Sequence, residues 1–232
     1  QQMNGLEPGG LLKHLGITDP RLKVARYLDP VSKNAIIAMR EVLADAGLTA
    51  DGIAADPCGY GILLGTTRGA CVTRDGLYGS LQSRQGRMVS ATLFSHCGYN
   101  IAGAMTAIAY GIKGPNVTIA GQGDLGFIIL RRARRFLLSG RAHTLFAGFS
   151  ECGDPRKNGG PSFGEAACFF CLETKGHAAE RGAAILAEVG EEPGTTPLES
   201  DGPSLAGLRM LGARYASLVA LGASRYHGSG AS

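Results

Sequence analysis

Six cysteines, five histidines and one glycine-rich bend are the parts of this 232-residue chain that could do chemistry. The bend lies in Gly114-Pro-Asn-Val-Thr-Ile-Ala-Gly-Gln-Gly-Asp-Leu-Gly126, ahead of an apolar segment ending at Leu138. These residue types predict a turn at Gly114 and Pro115, a short strand at residues 117–120, a sharp bend and then a helix. A strand, tight turn and helix in that order hold out whatever stands at the bend, often a nucleophile, to a cleft beside the sheet. Here the bend offers Gly121, Gln122 and Gly123, none of which can attack a carbonyl. No catalytic residue is assigned.

The cysteines are Cys58, Cys71, Cys97, Cys152, Cys168 and Cys171. Cys168 and Cys171 have CxxC spacing but sit in an apolar run, 166–172, that reads as a strand. Residues three apart on a strand point to opposite faces, so the thiols diverge. No second CxxC and no suitably spaced His follows, so no metal site is expected. The thiols read as free and buried in a reducing cytoplasm. Neither Cys97 nor Cys152 has a His or Asp placed by spacing to activate it.

Gly121-Gln-Gly-Asp-Leu-Gly126 also spells G-x-G-x-x-G between a strand and a helix, the context of a dinucleotide-binding turn. Its place past the middle of the chain weighs against an NAD(P)- or FAD-binding oxidoreductase. So does the absence of an acidic residue at the required spacing, since Glu151 lies beyond its expected strand. No cofactor is expected.

Several elements must position the bend. Asp29 and Pro30 open an amphipathic helix that Gly47 ends. Tyr60-Gly-Ile-Leu-Leu-Gly-Thr-Thr67 reads as a core strand. Residues 68–90 read as a long loop with a helical piece, and 90–110 as one helical stretch with small residues for close packing. Strands are expected at 144–148, 164–172 and 184–189, with a loop at 150–161 and a turn at 176–182. Residues 1–190 make one domain; 191–232 read as a linker followed by a helix at 204–221 packed on it.

Composition is that of a globular α/β protein, with 44% hydrophobic and 18% charged residues. The 36 glycines imply many tight turns. A net charge of +4 on dispersed Lys and Arg does not suggest nucleic acid. The cluster Arg131, Arg132, Arg134 and Arg135 reads as a solvated helix end, with docking of an acidic partner as the alternative. No signal peptide and no apolar run near 20 residues is evident, so no membrane association is expected.

Five blocks in order resemble the β-ketoacyl synthases, the condensing enzymes of fatty-acid and polyketide synthesis. They are Arg26-Tyr-Leu-Asp-Pro-Val-Ser-Lys33, residues 60–67, the run from Asn100 through Gly114-Pro115-Asn116 to Thr118, Leu137-Leu-Ser-Gly-Arg-Ala-His-Thr-Leu-Phe-Ala-Gly148, and Phe163-Gly-Glu-Ala-Ala-Cys-Phe-Phe-Cys-Leu-Glu173. Together they cover roughly residues 20–190. The resemblance implies the N-terminal half of an α/β thiolase-like fold, a mixed sheet flanked by helices. The family's first strand is not evident in residues 1–20.

Counting from Gly114 and Pro115, the family's nucleophilic cysteine falls on Gly123, so no thioester can form there. Gln122 beside it resembles the glutamine that chain-length-factor subunits carry at or next to the vacated position. His14, His96, His143, His177 and His227 match none of the family's His motifs and read as structural or solvent-facing. The resemblance therefore implies a chain-length-factor-like subunit, as in aryl-polyene and related polyene pathways. Its expected partners are a catalytic ketosynthase, in a heterodimer or higher assembly, and an acyl carrier protein. By the same resemblance Phe94, His96, Tyr99 and Asn100 lie near the partner's acyl tunnel, with Tyr99 as gate, and Val117, Thr118, Ile119 and Ala120 form the shared interface strand. An autonomous acyltransferase or thioesterase is the second alternative.

Overall fold

The computed structural model describes residues 28–83, 90–123, 125–152 and 166–189. The expectations for residues 1–20, most of the 150–161 loop, His14, His227 and all of 191–232 lie outside the described residues.

Helix α1, Pro30–Asp45, forms as Asp29 and Pro30 predict. The Asp29 carboxylate accepts the Val31 amide at 3.1 Å, and Pro30 occupies the first turn, where an amide would have no helical partner. Its buried stripe is Val31, Ala35, Ile36, Met39, Val42 and Leu43. A short α2, Ala50–Ala55, leads into β1, Tyr60–Thr66, buried at every position. A strand buried throughout has both faces covered.

Next come α3, Cys71–Ser83, α4, Ala91–Ser95, and α5, Ile101–Tyr110. The edge strand β2, Asn116–Ala120, runs through the bend into α6, Leu125–Leu138. Then follow β3, Thr144–Glu151, β4, Ala166–Glu173, and α7, Lys175–Glu180. The four strands form one sheet in the order β2-β1-β3-β4. The first three are parallel, and β4 is antiparallel to β3.

Alternation along the strands divides the interior in two. Ile62, Leu64, Phe146 and Phe169 join α1 and α5 on one face. Leu63, Leu145 and Ala147 meet Leu125, Ile129, Ala133 and Leu137 of α6 on the other. The α6 contacts recur every four residues, which leaves Arg131, Arg132 and Arg135 exposed. At Gly65 the absence of a side chain lets Ile129 press against β1.

Several boundaries differ from expectation. The single helical stretch at 90–110 is broken between α4 and α5, where His96 ends α4 and a turn through Gly98 intervenes. The helical piece expected within the 68–90 loop is the larger part of it, the 13-residue α3. The strand expected at 144–148 extends to Glu151. Residues 184–189 form no strand among the described residues: they have the apolar pattern but no ladder partner. Among the described residues, no helix is long and apolar enough to cross a membrane.

Candidate functional site

The bend sits where the three parallel strands end, the position at which open α/β sheets form ligand crevices. Thr66, the last residue of β1, lies opposite Ala120, the last of β2. The Gly121 amide donates to the Thr66 carbonyl at 3.2 Å, so the turn begins tied to β1. Gly123 has a φ of 80°, and the Leu125 amide donates to its carbonyl at 2.8 Å as α6 starts. Gln122 and Gly123 are exposed, and a Cβ on Gly123 would meet nothing within 4 Å. Space for a side chain exists at position 123; only the left-handed backbone opposes one, by about 1–2 kcal/mol.

Beside the bend, Glu151 at the end of β3 accepts the Thr66 hydroxyl at 3.4 Å and the Thr67 amide. Glu151 thus belongs to its strand, contrary to the sequence expectation, and fixes the loop after β1. Within that loop the Gly69 amide donates to Thr66 Oγ1 at 2.9 Å.

Tyr99 comes to the same loop. It is 45% exposed, yet its Cδ1 would lie 2.8 Å from a Cβ on Gly69, and the Arg74 guanidinium sits 5.2 Å from its ring centroid. Phe94 on α4 is 67% exposed. His96 is buried; its Nδ1 is 2.8 Å from the Thr92 carbonyl, and its Nε2 has no partner among the described residues. Asn100 is exposed at the start of α5 and makes no capping bond. On β2, Val117 and Ile119 pack toward α6, Thr118 is half-buried with a hydroxyl that has no partner among the described residues, and Ala120 is exposed.

The cysteines differ from expectation in two ways. Cys58 is exposed and Cys97 only partly covered, so burial is not general. Cys152 does meet an aspartate, across 123 residues of sequence: its Sγ lies 3.5 Å from Asp29 Oδ1 and 3.4 Å from Cys71 Sγ. The contact works against reactivity. Burial first, and then the negative charge of Asp29, push the Cys152 thiol up. Burial likewise raises Cys168 to about 11, and burial together with Glu173 raises Cys171 to about 12.

A polar network closes the opposite end of the sheet. The Glu173 carboxylate accepts Thr144 Oγ1 at 2.9 Å and three guanidinium bonds from Arg181 at 2.6–2.9 Å. His177 Nδ1 lies 2.9 Å from the same carboxylate and stacks on His143, ring centroids 4.3 Å apart. His143 in turn meets Asp56 at 3.1 Å. Arg181 reaches on to the Ala46 carbonyl at the end of α1. A groove of about 450 Å³ opens here between α1, α6, β4 and residues 183–189, away from the bend. Among the described residues no group of three or more His, Cys, Asp or Glu could hold a metal ion.

Residues 11–162 match the family model described as "Beta-ketoacyl synthase, N-terminal domain". The chain belongs to that family. This ketosynthase N-terminal domain is 28% identical over 222 residues to a Streptomyces rimosus protein described as an oxytetracycline polyketide β-ketoacyl synthase 1. That match takes 78% of this chain and 51% of the relative, so the chain spans about half the length of the curated relative it matches. Among solved structures it is similar to "The ishigamide ketosynthase/chain length factor", with a TM-score of 0.52 and 26% identity over 68% of this chain and 47% of that one. A type II PKS acyl-carrier protein in complex with its ketosynthase gives a TM-score of 0.62 at 22% identity, covering 74% of this chain and 53% of the other. A bacillaene ketosynthase of Bacillus amyloliquefaciens gives 0.54 at 16%, covering 75% and 33%. The mixed four-stranded sheet flanked by helices is the thiolase-like fold expected of the family.

Sequence reasoning about this ketosynthase domain missed Gly69, Arg74, Glu151 and Glu173. Each acts through a partner distant in the chain: Glu151 through Thr66 and Thr67, Glu173 through Thr144, Gly69 and Arg74 through Tyr99. The signal available in advance was the pair of threonines ending a buried strand, whose hydroxyl and amide need acceptors.

Proposed function

We propose that this ketosynthase N-terminal domain is a non-catalytic, chain-length-factor-like subunit. It pairs with a cysteine-bearing ketosynthase and shapes the acyl tunnel while chains carried on an acyl carrier protein are elongated, in polyene, polyketide or fatty-acid-type synthesis. The observation that carries this reading is the bend itself. The strand, the turn and the amphipathic helix are intact, while Gly121, Gln122 and Gly123 provide no nucleophile. Two further features support it. β2 pairs only with β1 among the described residues, leaving its outer edge for a partner strand. Phe94 and Tyr99 offer exposed aromatic surface, the residue type that dominates interface energetics.

In this reading the partner forms the thioester and condenses, and Tyr99 limits product length by steric exclusion, since overfilling a packed site costs about 1–3 kcal/mol. Coexpression with the cognate ketosynthase, followed by mass measurement of the purified complex, tests the pairing. The expected result is a stable complex containing both chains and no acyl transfer by this chain alone. A chain that stays monomeric beside the ketosynthase, or that becomes acylated from a labelled acyl carrier protein, would overturn it.

A further inference from the structure

Tyr99 is held in a seat, and the seat is built by residues remote from it in sequence. Gly69 has a φ of 56°, and a Cβ there would stand 2.8 Å from Tyr99 Cδ1 and 3.0 Å from Tyr99 Cα. Both the ring and the backbone of Tyr99 therefore rest on the bare face of Gly69. Any side chain at 69 would be strained by its own backbone and would also displace the tyrosine. Gly69 is itself immobilised: its amide donates to Thr66 Oγ1 at 2.9 Å, and its carbonyl accepts the Cys71 amide at 2.8 Å. Thr66 is tied in turn to Glu151. The floor of the seat is thus continuous with the ends of β1 and β3.

The lid is Arg74. Its guanidinium lies 5.2 Å from the Tyr99 centroid, and one nitrogen, Nη2, donates to the Arg68 carbonyl at 3.1 Å. The other, Nη1, is buried and has no hydrogen-bond partner among the described residues. A buried cationic donor without an acceptor is costly to keep, and the π face of Tyr99 is the electron-rich group within reach of it. Tyr99 is nevertheless 45% exposed, so its position is fixed from one side and open on the other.

We infer that Gly69 and Arg74 are positioning residues that hold the Tyr99 ring in one orientation and so make it a sharp limit on acyl-chain length. This rests on the function proposed above. A ring turning freely about χ1 would admit a spread of chain lengths, while a ring held on a rigid floor under a cation admits a narrow one. Arg74 sets the orientation through the ring face, and Gly69 sets the depth.

The test separates the seat from the gate. The chain has no tryptophan, so Tyr99→Trp in the full chain gives a single tryptophan at the seat, excited selectively over the remaining tyrosines. Arg74→Met in that background is expected to lower the steady-state anisotropy and raise acrylamide quenching roughly two- to fivefold, the range set by loss of a cation–π contact; Arg74→Lys restores most of it. With Tyr99 in place and the cognate ketosynthase present, Arg74→Met is expected to raise the share of off-length product by a similar factor. Gly69→Ala shifts the distribution further if it folds; Arg74→Met carries the test if it does not. An unchanged reporter in Arg74→Met overturns the seat, whatever the products. If the reporter loosens and Tyr99→Ala alters product length but Arg74→Met does not, control of specificity by the seat is overturned. If neither Tyr99→Ala nor Arg74→Met alters product length while the reporter loosens, the gate fails and the seat stands.

Discussion

Thr118→Pro is expected to leave the folded chain intact and to weaken pairing with a ketosynthase partner by roughly one to two orders of magnitude. The direction of each β2 amide follows from two hydrogen bonds. The Pro115 carbonyl accepts the Ile62 amide at 2.7 Å, and the Gly121 amide donates to the Thr66 carbonyl at 3.2 Å. In a parallel pair alternate residues bond to the neighbour, so residues 117 and 119 face β1, and the amides of Thr118 and Ala120 face the outer edge. Proline is tolerated where its missing amide proton faces outward. Among the described residues the Thr118 hydroxyl has no partner to lose. Loss of an edge bond, with the ring opposing a partner strand, costs association about 2–3 kcal/mol, roughly 30- to 150-fold in Kd. Ile119→Pro is the control, because it removes a bond to β1 and lowers the melting temperature of the chain itself. Thermal melts and the mass of the complex read both effects. Undiminished pairing by Thr118→Pro would show that β2 is not the shared strand.

The second large effect lies at the other end of the sheet. Glu173→Gln is expected to destabilise the fold by about 3 kcal/mol, since it leaves the Arg181 guanidinium and its neighbours without their counter-charge. For a chain of this size that is a fall in Tm of about 6–12 °C. Burial alone would raise the Glu173 carboxyl; hydrogen bonds from Arg181, Thr144 and His177 and the Arg181 charge outweigh it and hold the carboxyl below its ordinary value. The unfolded chain therefore binds this proton more readily than the folded one. The carboxylate's contribution is complete above the ordinary glutamate range and is lost as pH falls through it toward the depressed folded value. Melting curves from neutral pH downward should show wild type losing stability through that range. Glu173→Gln should be flatter there, so that the two curves converge. Parallel curves would mean that Glu173 is not the group responsible.

Much of the fold could be read from local pattern. Asp29, Pro30 and Gly47 mark α1 because capping and turn chemistry act within a few residues. The strand, bend and helix around Gly123 are recognisable for the same reason. Pattern fails where a partner far along the chain decides. Residues 184–189 have the composition of a strand, but a strand exists only with a neighbour, and no ladder reaches them among the described residues. The third helix was legible only as a helical piece within a loop, because Gly76 and Gly79 dilute its apolar stripe and only Cys71 and Leu77 are buried. At the candidate site the bend and Tyr99 were accessible to sequence, and the groups that fix them were not. Asp29 shows the limit clearly: its capping role is local, while its contacts with the Thr73 amide at 2.8 Å and the Cys152 thiol depend on the assembled sheet.

The order of the strands has a further consequence for exchange of backbone protons with solvent. β1 is flanked by strands on both sides and buried at all seven positions, so its amides should exchange only when the whole domain opens. The outward amides of Thr118 and Ala120 are instead free to exchange by local fluctuation. A partner strand would protect those two amides and leave Ile62, Leu63 and Leu64 unchanged. Deuterium uptake at two amides therefore serves as a record of assembly, written on the same strand that leads into the empty bend.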